Sequence, residues 1–282
     1  MSNVEQVERL LAPQSTPIQP RVLARRLLGA RFTRGLLRGL HASGAIIAFL
    51  AFWEVAPRLG LVEQAFLPPL TTVLASGWEL VKNGQLGSHV QASLTRSMVG
   101  FVLAICHAVP LGLAIGWYKG FASVVSPLLE ALRNTAALAL LPVFILVLGI
   151  GESSKIALVV YSCSWPILLN TITAVRNVDP LLIKSARTMG LSPFQLFRKV
   201  ILPASIPTIF VGVRLAGAYS LLVLVAAEMV GAKAGLGYLI IYAQYNFQIP
   251  QMYVGILSIT VLGLLFNQGL QLIERRFTSW KV

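Results

Sequence analysis

Charge is scarce in this 282-residue sequence: Asp, Glu, Lys and Arg together make up 12% of it. A soluble chain covers itself with charged side chains at roughly a quarter of its positions, so a soluble globular domain is excluded. Cysteine is scarcer still, with two residues in the whole chain, which excludes a disulfide-stapled secreted scaffold. The three histidines, His41, His89 and His107, stand at no metal-ligand spacing. What the sequence does have is apolar residues, 56% of the total, and a mean hydropathy of +0.76. Six spans of about 20 residues would occupy about 120 residues. The remainder suffices for tails and loops, not for a sizeable soluble enzyme domain. The fold class expected is all-α integral membrane.

Negative charge is the scarcer sign, 10 acidic residues against 23 Lys and Arg, for a formal charge of +13. Such a balance can mark a nucleic-acid partner. In a hydrophobic chain it more often reflects basic residues gathered on the cytoplasmic side of spans, so no nucleic acid is expected. Residues 1–38 read as a basic cytoplasmic tail, interrupted by Pro13, Pro17 and Pro20 and carrying Arg21, Arg25, Arg26, Arg31, Arg34 and Arg38. Those arginines are spread around any helix and suit anchoring at lipid headgroups. Glu5 and Glu8 argue against a transit peptide, and the first apolar run begins too late for a secretory signal.

Charge-poor runs place six transmembrane helices within residues 39–282. They are Gly39 to Trp53, Ser97 to Tyr118, Ser123 to Ile150, Ile156 to Val175, Pro207 to Val230 and Tyr253 to Ile273. With the N-terminus inside, 16 of the 23 basic residues fall on the cytoplasmic side and 5 on the other. That asymmetry is a strong orientation signal and sets both termini in the cytoplasm. The spacings Gly35/Gly39 and Gly112/Gly116 permit close helix approach, but with 23 glycines such pairs arise readily.

Catalysis finds no constellation. Neither G-x-S-x-G nor H-E-x-x-H occurs, and Cys106 and Cys163 lie inside expected spans as small apolar packers. The run from Gly149 to Lys155 looks superficially like a phosphate loop. It lacks the glycine before the lysine and the hydroxyl residue after it, and reads instead as a turn between spans. No catalytic residue, metal or bound cofactor is expected on this chain.

The informative segment runs from Asp179 to Pro203. Asp179 before Pro180 starts a helix, and Gly190 suits the left-handed residue that ends one. Ser192, Pro193 and Gln195 carry the pattern of a second capped start, and Pro203 is expected to end that helix. Leu191, Phe194 and Phe197 add apolar surface. Such a segment is either a connector lying among lipid headgroups or a rigid knob for another protein.

The stretch from Lys184 to Pro203 resembles the cytoplasmic EAA loop of ABC-importer permeases. Ala186, Gly190 and the closing Val200-Ile-Leu-Pro203 match, while Lys184 and Ser185 replace the leading glutamate and first alanine. Further matches are Leu67-Pro-Pro69, Ala92 to Arg96, Gly100-Phe101, Ser126 to Arg133, Gly149 to Lys155, Ala227-Glu228 with Gly235-Leu-Gly237, and Glu274 to Arg276 with Trp280. Together they resemble the permease branch that includes nitrate, taurine and aliphatic-sulfonate importers. The resemblance implies a type I ABC importer permease architecture in a bacterial inner membrane. It implies a second permease copy as a homodimer, two ATP-binding subunits that hold the ATP and Mg, and an extracytoplasmic substrate-binding protein. The ATPase-coupling surface it implies comprises Lys184, Ser185, Ala186, Arg187, Gly190, Leu191, Ser192, Phe194, Phe197 and Pro203. At Asn134 to Ala137 the branch usually has a proline-rich turn, so a straighter third span is expected here.

Charges inside spans need a reason, since each costs on the order of 2.5–3.5 kcal/mol at the helix centre. Glu130 and Arg133, three apart, can pair. Arg214 and Glu228 lie about 21 Å apart on one helix and share a side with Gly217, Leu221 and Val225. That stripe either lines the substrate pathway or packs against a neighbouring span. A self-contained secondary transporter or channel is the alternative. It would need coupling-ion sites at broken helices, hinted at only by Pro110, Pro142 and Pro166.

Overall fold

The computed structural model describes residues 44–277, and the chain divides after Val62 into two units. The first unit contributes α1, residues 44–58, in which Glu54 pairs with Arg58 one turn on. The expected first span thus continues past Trp53, and its opening residues 39–43 lie outside the described part, as does the basic tail.

The second unit is built from helices throughout. They are α2 Leu70–Lys82, α3 Gln85–Trp117, α4 Lys119–Arg133, α5 Leu141–Leu148, α6 Glu152–Arg176, α7 Pro180–Thr188, α8 Pro193–Leu196, α9 Leu202–Glu228, α10 Leu236–Tyr245 and α11 Ile249–Phe277. Among the described residues, α3, α6, the continuous run Pro193–Glu228 and α11 are long and apolar enough to cross a membrane. The pair α4 and α5 forms a fifth crossing if its two limbs count as one. These elements match the expected second to sixth spans.

Packing of α3, α6 and α9 makes the core. Gly100, Gly112 and Gly116 of α3 face Val159, Thr171 and Val175 of α6, each pair separated by the same 59 positions. A constant offset means that the two helices run parallel. An added Cβ at any of the three would lie 2.7 Å from its partner, so the backbones approach as closely as glycine allows. The Gly112/Gly116 spacing is therefore a real crossing. Helix α9 runs antiparallel to α6, with Gly212 against Pro166 and Asn170 and the Cys163 thiol 3.3 Å from the Ala216 carbonyl. Ala104, Ala108, Ile167, Val213 and Leu224 fill the remaining centre. The outer surface is apolar, with Val124, Leu146 and Ile150 at least three-quarters exposed, as lipid contact requires.

Two expectations are corrected. The third span is not straight: α4 and a 3₁₀ turn leading into α5 meet at 87°. The Asn134 amide donates to the Glu130 carbonyl at 2.8 Å, and Ala136 is extended. A short polar side chain competing for the last carbonyls ends the helix without any proline. Pro203 does not end the second loop helix either. A π-turn over Phe197–Ile201 widens the helix just before it, and Pro193–Glu228 continues as 36 residues. Proline lacks the N–H for the next α-helical bond, and a single widened turn absorbs that loss.

Candidate functional site

At one end of the bundle the chain between α6 and α9 forms a compact knob. The Asp179 side chain accepts the Leu181 N–H at 2.8 Å and caps α7. Gly190 turns the chain at φ +78° with its N–H on the Arg187 carbonyl. Ser192 and Gln195 form a reciprocal capping box at the start of α8. Inside the knob Ala186, Leu196 and Ile201 are buried with Val175 and Val178, so it is seated on the end of α6.

The expected coupling residues divide between the two sides of this knob. Ala186 is buried, and Phe197 lies against Trp117 with ring centroids 5.4 Å apart. Leu191 is half-buried against the same cluster, and Pro203 is half-buried at the start of α9. Lys184, Ser185, Arg187, Gly190, Ser192 and Phe194 face outward. Of the three apolar residues expected to adhere, only Phe194 is presented, at 71% exposure. Met189, at 79%, Leu181 and Leu182 are exposed elsewhere on the same knob. The sequence reading left these three out because caps fix where a helix starts and stops, not which of its faces rests on the bundle.

The other expected group is the stripe along α9. Arg214 pairs with Glu274 of α11 at 3.1 Å. A Cβ on Gly217 would run into Leu270 and Phe266, and Leu221 is buried facing Gly263. Arg214, Gly217 and Leu221 thus meet α11 of the same chain. Val225 is half-buried, and the open face of α9 is instead the line of Val211, Leu215, Tyr219 and Leu222. Glu130 and Arg133 pair at 3.3 Å on the exposed side of α4.

Glu228 belongs to a different assembly, at the end of the bundle opposite the knob. It is fully buried. The Arg96 guanidinium donates to it through Nη1 at 2.6 Å and grips Glu152 with Nε and Nη2, the latter at 2.7 Å. Ser93 Oγ donates to the Glu228 carboxylate at 2.8 Å, and the Gly237 N–H does so at 3.0 Å. That N–H opens α10, where a helix favours negative charge. The loop between α9 and α10 is held by cations and an imidazole. Arg96 donates to the Ala234 carbonyl, Lys155 Nζ to those of Gly151 and Gly231, and His89 Nδ1 accepts the Gly235 N–H. A side chain on Gly235 would occupy the position of the Glu228 carboxylate.

This cluster joins four segments, Ala92 to Arg96, Gly149 to Lys155, Ala227-Glu228 and Gly235 to Gly237. Sequence reading placed Arg96 and Lys155 at span borders and gave neither a role. In an apolar chain, the recurrence of polar and glycine residues in these four short stretches was the available signal. Among the described residues no group of His, Cys, Asp and Glu is arranged to hold a metal ion.

Residues 108–279 match the family described as the binding-protein-dependent transport system inner membrane component. The chain belongs to that family. A Bacillus subtilis protein bearing the name of an aliphatic sulfonates transport permease is 35% identical over 247 residues, 88% of each chain. The taurine transport system permease protein of Escherichia coli is 31% identical, covering 84% of this chain and 88% of its own. In fold, the binding-protein-dependent permease resembles a chain of the inward-facing methionine ABC transporter MetNI. The TM-score is 0.62 at 21% identity, covering 69% of this chain and 96% of that one. The architecture is that of a type I ABC importer permease, an all-helical, multi-pass inner-membrane transport component.

Proposed function

We propose that this permease moves a small anion, a sulfonate, taurine or nitrate, inward across the membrane by alternating access driven by ATP hydrolysis in partner subunits. Two ATP-binding subunits, which carry the ATP and Mg, press against the knob between Asp179 and Pro203. A second copy of the chain completes the translocation unit, and an extracytoplasmic binding protein delivers substrate at the opposite end. Both termini lie in the cytoplasm, the orientation that the basic residues favour.

The observation that carries this reading is the exposure of Met189 and Phe194 on a doubly capped, glycine-turned knob. Exposed apolar side chains on a rigid element fit a protein partner better than water. The substrate class rests on the names of relatives: aliphatic sulfonates, taurine and, at 29% identity over 92% of this chain, nitrate import in Leptolyngbya laminosa. The test is uptake of labelled taurine, butanesulfonate and nitrate into vesicles containing permease and ATPase subunits, with binding protein supplied outside. Uptake of one of these that needs ATP, the ATPase and the binding protein supports the proposal. Uptake without ATPase or binding protein would point to the secondary-carrier alternative.

A further inference from the structure

Four ionised side chains meet around Arg96, and they are not equally enclosed. Arg96, Lys155 and Glu228 are buried, at 5%, 3% and 0% exposure, while the Glu152 side chain is 63% exposed. Two cations and one anion leave the enclosed part with a net charge of +1. That charge is balanced by the one member that stands at the surface. Arg96 turns its Nη1 inward to Glu228 and the Ala234 carbonyl, and offers its Nε/Nη2 edge to Glu152. Such an edge is a two-pronged donor that fits two oxygens of any carboxylate-like anion. Among the described residues, Lys155 donates to the Gly151 and Gly231 carbonyls, within Coulombic reach of Arg96, Glu152 and Glu228. His89 accepts the Gly235 N–H and lies beside the Tyr238 ring. The 25-residue helix α6 begins at Glu152, and no side chain caps its first N–H groups, which adds a favourable field for an anion.

We propose that Glu152 holds the place of the transported ion, and that a monovalent oxyanion binds the Nε/Nη2 edge of Arg96 when Glu152 swings into solvent. The ligand class follows from charge and shape. A monoanion restores neutrality, a second negative charge exceeds it, and two oxygens on one centre match the guanidinium fork. Sulfonates and nitrate satisfy both conditions. The exchange keeps the Arg96–Glu228 pair intact, so the loop and α10 stay fastened while the anion is held. The inference rests on the anion-importer reading and names a place where that anion is held by the permease.

The test uses the full chain purified in detergent, with methanesulfonate as probe and dimethyl sulfone as its neutral isostere. Glu152→Gln removes the competing charge at an exposed position. Methanesulfonate is expected to bind this variant at least tenfold more tightly than wild type by calorimetry, with no binding of dimethyl sulfone. The gain is expected to vanish in Glu152→Gln/Lys155→Met. In the wild-type chain, saturating methanesulfonate is expected to slow amide hydrogen exchange over residues 152–155, a readout that needs no variant. Equal affinity in wild type and Glu152→Gln, equal binding of the sulfone, a gain that survives loss of Lys155, or unchanged exchange at 152–155 would each overturn the proposal. ATP-driven anion uptake with any of those results leaves the importer reading standing and this site refuted. Tight methanesulfonate binding without uptake of any anion refutes the importer reading instead.

Discussion

Gly190 offers a way to separate the turn from the contact it presents. Its φ of +78° belongs to the left-handed region, which costs a residue with a Cβ about 1 kcal/mol. No atom beyond its chain neighbours lies within 4 Å of where that Cβ would stand, so alanine meets no clash. Gly190→Ala therefore perturbs only the backbone equilibrium, by a factor of about five, in a turn braced by two capped helices. Gly190→Glu carries the same backbone cost and adds a charged side chain next to the exposed Met189. If the knob docks an ATPase, the two variants must differ: alanine retains the ATPase subunits on co-purification and most of the ATP-driven uptake, and glutamate loses one or both. Membrane abundance and thermal midpoint of the permease alone are expected to be alike for the two. Equal uptake by both variants at the wild-type rate refutes a docking role. Equal failure of both, with lowered midpoints, assigns Gly190 to folding alone.

Gly112→Ala places a methyl 2.7 Å from Thr171 Cβ and should destabilise the α3–α6 crossing by about 1–3 kcal/mol. Gly87→Ala, with no atom from outside its own helical turn within 4 Å, should not lower the thermal midpoint in detergent. Glu228→Ala removes one of the two carboxylates on the buried Arg96 and the acceptor of the Gly237 N–H, and should cost on the order of 3–5 kcal/mol, seen as loss of membrane accumulation. Glu130→Ala breaks only an exposed pair and should change that abundance little. In a background lacking Cys106 and Cys163, a cysteine at exposed Gln85 or Gln248 should react with an impermeant reagent from outside, and one at Gln195 should not. The reverse pattern would invert the orientation.

What could be read from the sequence was what local chemistry decides. The scarcity of charge and the length of the apolar runs set the membrane class, because lipid admits helices whose polar groups are satisfied internally. The caps at Asp179 and Ser192 and the turn at Gly190 were legible because each is closed by residues within three positions. Tertiary structure decided the rest. Arg96 meets Glu152 and Glu228 across 56 and 132 positions, and pairing at such distances leaves no local trace. Whether Gly112 marked a crossing or chance depended on Thr171 facing it. Gly217 could have lined a pathway or a seam, and Phe266 and Leu270 of a distant helix put it in the seam. The bend at Asn134 and the passage of the helix through Pro203 turned on which backbone carbonyls found partners, a balance that residue type alone does not settle.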